Sequence, residues 1–247
     1  MIAYATAAGL IGLGIVLISR INLQIISAAV VKTERPTLHS AMEGLRFIKR
    51  TPILLAAISL DLFAVLFGGA IALLPVIAKD QLLVGDVAYG WLRAAAGIGA
   101  ASTAALLAFK PIRRHGGRAM LIAVGVFGAG TIVLGLTHNY WVAFFAVMIL
   151  SAGDMISVFV RGAIVPLVTP DDKRGRVSAV ENVFIGATNE LGAFESGAVS
   201  QLVGVKSTVV GGGIATLGIV GIFWYKFKQL RNIDTFDELS AEESTTK

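Results

Sequence analysis

An all-α, polytopic membrane bundle of about seven transmembrane helices is predicted by three observations. Hydrophobic residues make up 55% of the 247 and charged residues only 15%, against about 25% charged in a soluble domain, and mean hydropathy is +0.78. The apolar residues come in blocks of the length, about 20 residues, that a bilayer requires. A shift of 93 residues superposes one part of the chain on another, so that six of the seven spans read as an inverted 3+3 repeat.

The apolar blocks fall at residues 2–19, 52–78, 87–109, 119–137, 140–168, 177–204 and 208–225. They leave no room for a sizeable soluble domain and exclude collagen-like and disordered chains. Net charge is +5, but in so apolar a chain the placement of basic residues matters more than their sum, and nucleic acid is not an expected partner. Residues 1–20 are expected to form a span rather than a signal peptide, because the first basic residue, Arg20, follows the apolar run. Residues 21–51 are a mixed, basic linker whose end places Met42, Leu45 and Ile48 on one helical stripe, which predicts an interfacial helix. Residues 52–228 hold the remaining six spans. From 229 to 247 the tail carries five acids and no apolar period, and is expected to be disordered.

Basic residues sort the loops. Of the 21 Lys and Arg, 18 lie between Arg20 and Arg50, Lys110 and Arg118, Arg161 and Arg176, or from Lys226 onward. Those are the loops after spans one, three, five and seven, which the positive-inside rule assigns to the cytoplasm together with the C-terminus. The expected location is the inner (plasma) membrane, with the lipid bilayer as the first partner. Cysteine is absent, so thiolate metal sites, disulfides and a cysteine nucleophile are excluded. His39, His115 and His138 fall in loops or at span ends; no catalytic constellation, metal site or cofactor is predicted, and an enzyme is not expected.

The repeat rests on Asp61 to Ile71 against Asp154 to Ile164, identical at five of eleven positions including the acid. At the same offset Gly99 meets Gly192, and Gly128 meets Gly221. Three is odd, so the second triplet enters the bilayer from the opposite side, as in many secondary transporters.

An ionised side chain in mid-bilayer costs a few kcal/mol, so each one is a functional hypothesis. At about 1.5 Å per residue, Asp61 and Glu190 fall near the midplane and Asp154 somewhat nearer the cytoplasm. These three are the candidates for reversible protonation. On span six, Glu181, Asn182, Thr188, Asn189, Glu195 and Ser196 gather on one side, which needs water or a polar partner because lipid offers neither; Asn182, Thr188, Asn189, Glu195 and Ser196 read as cavity-lining groups. Val180, Val183, Phe184, Ala187, Leu191 and Phe194 form the lipid side, and Glu190 departs from the polar stripe. The alternative is structural pairing: Arg161 with Glu181 near the cytoplasm, and Arg93 with an acid near the outer face. Asp154 and Arg161 share a helix face but, at roughly 10 Å, are too far apart to touch. The small residues from Ala94 to Ser102 and from Gly211 to Gly213 are read as close-packing positions.

The stretches Glu43 to Phe47, Ser59 to Gly69, Thr169 to Ala179 and Asn189 to Gly197 resemble the C-terminal half of a major facilitator superfamily transporter. The branch they resemble is the transmembrane secretion effectors, which include enterobactin-exporter-like proteins. The resemblance implies half of a major facilitator fold plus one preceding helix, equivalent to helix six of a full transporter. It further implies proton-coupled export of a small organic molecule, such as a siderophore or drug, by alternating access. The partners would be protons, the small-molecule substrate and the missing N-terminal six-helix half, supplied by a longer chain or by a second one. Arg174 and Arg176 would act as cytoplasmic gate and anchor. The superfamily's loop motif survives only from Arg114 to Arg118, without its acid. The alternatives are a non-transporting scaffold or assembly subunit, or a fragment without function on its own.

Overall fold

The structure, a computed structural model, describes residues 2–20, 38–112 and 114–233. Among these it is helical throughout, with no β-strand. Residues 1–36 and 37–247 form two units. The described part of the first is one helix, α1 (Ile2–Ser19), apolar on every side. Most of the linker, and the tail from Asp234, lie outside the described residues.

The second unit begins with α2 (Leu38–Arg50) and α3 (Pro52–Phe67), bent by 104°. The bend is written in one dipeptide: a proline bars the preceding residue from the helical region, and Thr51 is extended at φ −108°, ψ 98°. The apolar stripe expected on α2 is split. Ile48 is buried and Leu45 half-buried, but Met42 is 61% exposed, and the packed side runs through Gly44 instead. A Cβ on Gly44 would sit 2.8 Å from the Arg176 carbonyl oxygen and 3.2 Å from Val180. Val180, expected to face lipid, is therefore buried beneath α2.

The second expected span, 52–78, is not one helix. It stops at Phe67, tightens into a 3₁₀ turn at Gly69–Ile71, and resumes as α4 (Leu74–Val76) and a π turn at Ile77–Gln81. Gly68 and Gly69 have low helix propensity and Pro75 removes a donor, while hydropathy averaged over a window is blind to all three. A side chain on Gly68 would strike the Phe127 ring. Gln81 then closes the excursion by donating from Nε2 to the carbonyl oxygens of Leu134, Gly135 and Thr137 at 3.2, 3.2 and 2.6 Å, acceptors that a helix end leaves unsatisfied.

The remaining helices are α5 (Asp86–Phe109), α6 (Gly116–Leu136), α7 (Tyr140–Leu167), α8 (Asp171–Val203), α9 (Val205–Lys226) and the short α10 (Lys228–Arg231). Four of them, α5, α6, α7 and α9, are each long and apolar enough to cross a membrane. The N-terminus of α7 is capped by Asn139, whose Oδ1 accepts from the backbone N–H of Trp141 at 2.9 Å and Val142 at 3.3 Å. Asn139→Ala is expected to destabilise the chain by about 1 kcal/mol, read as a lower midpoint of thermal unfolding in detergent; an unchanged midpoint would mean that water replaces the cap. The tail departs from expectation at its start: Leu230 and Ile233 are buried against α3 and α6, so residues 229–233 belong to the packed unit.

Packing follows the repeat. Exchanging α3, α5, α6 for α7, α8, α9 carries the α5–α7 contact onto α8–α3 and the α6–α7 contact onto α9–α3, while α6–α9 and α3–α7 map onto themselves. The symmetry breaks where α8 and α9, joined by the single residue Gly204, also touch each other. Two apolar cores result. One unites α2, α3 and α10 with the adjoining ends of α6, α7 and α8, and the other surrounds residues 73–82 with the opposite ends of α5, α6 and α7.

Candidate functional site

Midway along the bundle, α7 presents Asp154, Ser157 and Arg161 at helical spacings of three and four, which put all three on one side. Asp61 of α3 meets this row. Its Oδ1 accepts from Ser157 Oγ at 2.9 Å, and its Oδ2 is paired with Arg161 Nη1. Arg161 Nε reaches Glu181 Oε1 of α8 at 3.1 Å. Arg161 and Asp61 are only 5% and 4% exposed. One guanidinium is thus shared by two carboxylates from two other helices, and the trio carries a net negative charge.

The expected Arg161–Glu181 pair is present, and Arg161 makes no direct contact with Asp154. Asp61, expected near the midplane as a candidate for reversible protonation, is paired with a residue 100 positions away. Ser157 was missed; its spacing of four before Arg161 was the available signal.

The acid that reaches open space is Asp154. It lines a cavity of about 370 Å³ with Arg93 of α5, Asn189 of α8, Phe127 of α6 and the broken segment at Gly68, Gly69 and Pro75. Irregular backbone at membrane depth is tolerated where it borders a cavity, and here the helix break forms one wall. The fit is close: a Cβ on Gly69 would sit 2.5 Å from Ser196 Oγ and 3.0 Å from the Gly192 carbonyl oxygen. Neither Phe127 nor the glycine pair was singled out as cavity wall from the sequence.

The polar stripe expected on α8 divides. Ser196 is buried, Glu181, Thr188 and Glu195 are half-buried, and Asn182 and Asn189 are exposed. Only Asn189 is among the residues lining the cavity. Glu190 is exposed beside Val183, Phe184, Ala187, Leu191 and Phe194 on the uncovered side of α8, and the structure does not bring it to Asp61 or Asp154. Arg93 pairs with no acid among the described residues; its Nη1 donates to Tyr89 Oη at 3.3 Å.

At the basic end, Arg176 Nη1 pairs with Glu43 Oε2 at 2.6 Å, and Lys173 stands 5.1 Å from the centre of the Phe47 ring. Both contacts tie α2 to the start of α8. Arg174 donates to the Pro166 carbonyl oxygen at 3.1 Å and pairs with Asp171 at 2.8 Å. Arg118 is exposed. No group of three or more His, Asp or Glu able to hold a metal ion occurs among the described residues.

A helical bundle with several bilayer-length spans and charges buried at mid-depth defines a multi-pass membrane protein. The family model described as transmembrane secretion effector matches residues 3–246, and the chain belongs to that family of major facilitator membrane transporters. No curated protein matches the chain.

Proposed function

We propose that this bundle is the C-terminal half of a secondary active exporter that moves a small organic molecule outward in exchange for protons. The carrying observation is the row on α7: Asp154 opens on the cavity, and Ser157 and Arg161 run from it to the sealed Asp61. A proton taken up on this row changes how strongly Arg161 is held between α3 and α8, which converts protonation into a preference between two helix arrangements. Alternating access then requires a second bundle rocking against this one about the cavity, so a six-helix first half completes the exporter. The basic loops face the cytoplasm, and Arg174 and Arg176 anchor the start of α8 there. Glu190 has no part in the proposed row.

Asp61→Asn separates coupling from folding and from binding. In everted vesicles carrying the assembled exporter, transport driven by a pH gradient is expected to fall more than about tenfold, within the usual range of coupling between two sites. Substrate exchange without a gradient is expected to persist. Gradient-driven transport equal to wild type in both Asp61→Asn and Asp154→Asn would remove the coupling role.

A further inference from the structure

Three polar side chains from three helices border one cavity without satisfying one another. Among the described residues Arg93 bonds only within its own helix, to Tyr89. Asp154 and Asn189 make no hydrogen bond or ion pair with any described residue. Arg93 and Asp154 carry opposite charges and line the same space, yet do not close on each other. Arg161, the cation of α7, is already held by Asp61 and Glu181 and forms no ion pair with Asp154 among the described residues.

We propose that the cavity takes a zwitterionic small molecule, its anionic group on Arg93, its ammonium group on Asp154 and a polar link between them on Asn189. This deepens the export reading and rests on it. An anion alone would meet Arg93 but be repelled by Asp154 and by the surplus negative charge of the Asp61 cluster. A cation alone would satisfy Asp154 and leave Arg93 unmatched. At the half-buried Asp154 the mismatch grows in surroundings less polarisable than water, while Arg93 and Asn189 stand at the exposed rim, so a ligand charged at both ends gains at both. Phe127, Val65 and Pro75 supply an apolar wall for the body of the molecule. A volume of about 370 Å³ lies near the lower end of small-molecule sites, roughly 300–1,000 Å³.

The test uses the 247-residue chain in nanodiscs of phosphatidylethanolamine and phosphatidylglycerol, and equilibrium binding of three matched probes. These are the dipeptide Phe-Ala (both charges), its N-acetyl form (anion only) and its C-terminal amide (cation only). The dipeptide is expected to bind at least about tenfold more tightly than either blocked form, the equivalent of about 1.4 kcal/mol. Arg93→Gln should erase the preference over the amide, and Asp154→Asn the preference over the acetyl form. Arg93→Lys should keep both, and circular dichroism of each variant reports folding. Equal binding of the three probes, no binding of any, or preferences that survive both variants overturns the proposal. The export reading fails separately: a zwitterion preference in a chain whose assembled exporter shows no gradient-driven transport would leave a binding site without an exporter. Transport without the preference would remove only the substrate class.

Discussion

Arg161→Met is expected to destabilise the purified chain by about 3–5 kcal/mol, the range for breaking a buried ion pair from one side. The substitution strands two carboxylates. Among the described residues Asp61, 4% exposed, keeps only Ser157, and Glu181 keeps no partner, while Asp154 stands three residues from Ser157 on the same helix. Removing one of the acids is a different matter. In Asp61→Asn the Arg161–Glu181 pair survives with no net charge, and the amide oxygen can still accept from Ser157 and the guanidinium. The expected cost is about 1 kcal/mol. Combining Arg161→Met with Asp61→Asn should recover part of the loss, because the two residues touch and their effects do not add. Thermal unfolding in detergent, followed by size-exclusion chromatography with fluorescence detection, checks the ranking. If Asp61→Asn proves as damaging as Arg161→Met, the two acids do not share one guanidinium in the way the geometry implies. The mild cost of Asp61→Asn is also what makes it usable as a transport variant.

The bounds of the fifth span were legible because insertion into hydrocarbon is read from composition along the chain. The fifth span was expected at 140–168 and α7 covers 140–167. Pairing of Arg161 with Glu181 was legible because both lie near the same end of consecutive spans. Azimuth was not. Depth places Asp61 in the midplane, but whether it faces water or a neighbouring helix depends on which residues of α7 stand opposite, and nothing local to α3 encodes that. The same limit divided the polar stripe of α8: a face can be polar because a cavity lies beside it, as at Asn189, or because an arginine from another helix reaches across, as at Glu181. The break after Phe67 carried a signal in Gly68, Gly69 and Pro75, but an apolar average smooths over it. Lys228 to Ile233 hid inside a charged tail, because Leu230 and Ile233 are too few to make a period and are buried through packing on α3, α6 and α9.

Close packing between the two triplets gives the second large effect. Gly99→Ala is expected to destabilise the bundle by about 1–3 kcal/mol, as overpacking does, whereas Gly97→Ala two residues away should be neutral or slightly stabilising. A Cβ on Gly99 would overlap the Met148 carbonyl oxygen of α7, and this neighbour is backbone that cannot rotate aside; a Cβ on Gly97 meets nothing within 4 Å. At the vacant position only the helix preference for alanine over glycine remains, about 0.5–1 kcal/mol in alanine's favour. The repeat sharpens the test. Gly192 is the counterpart of Gly99 at the 93-residue offset, and its missing Cβ would lie 3.0 and 3.1 Å from the carbonyl oxygens of Val65 and Leu66 on α3. Each glycine lets the second helix of one triplet approach the first helix of the other. Gly192→Ala should therefore destabilise in the same direction and by less, since its contacts are longer. Both effects are read from unfolding midpoints of the single variants in one detergent. If Gly99→Ala and Gly97→Ala shift the midpoint alike, α5 and α7 do not approach through Gly99, and the symmetric packing of the two triplets loses its physical basis.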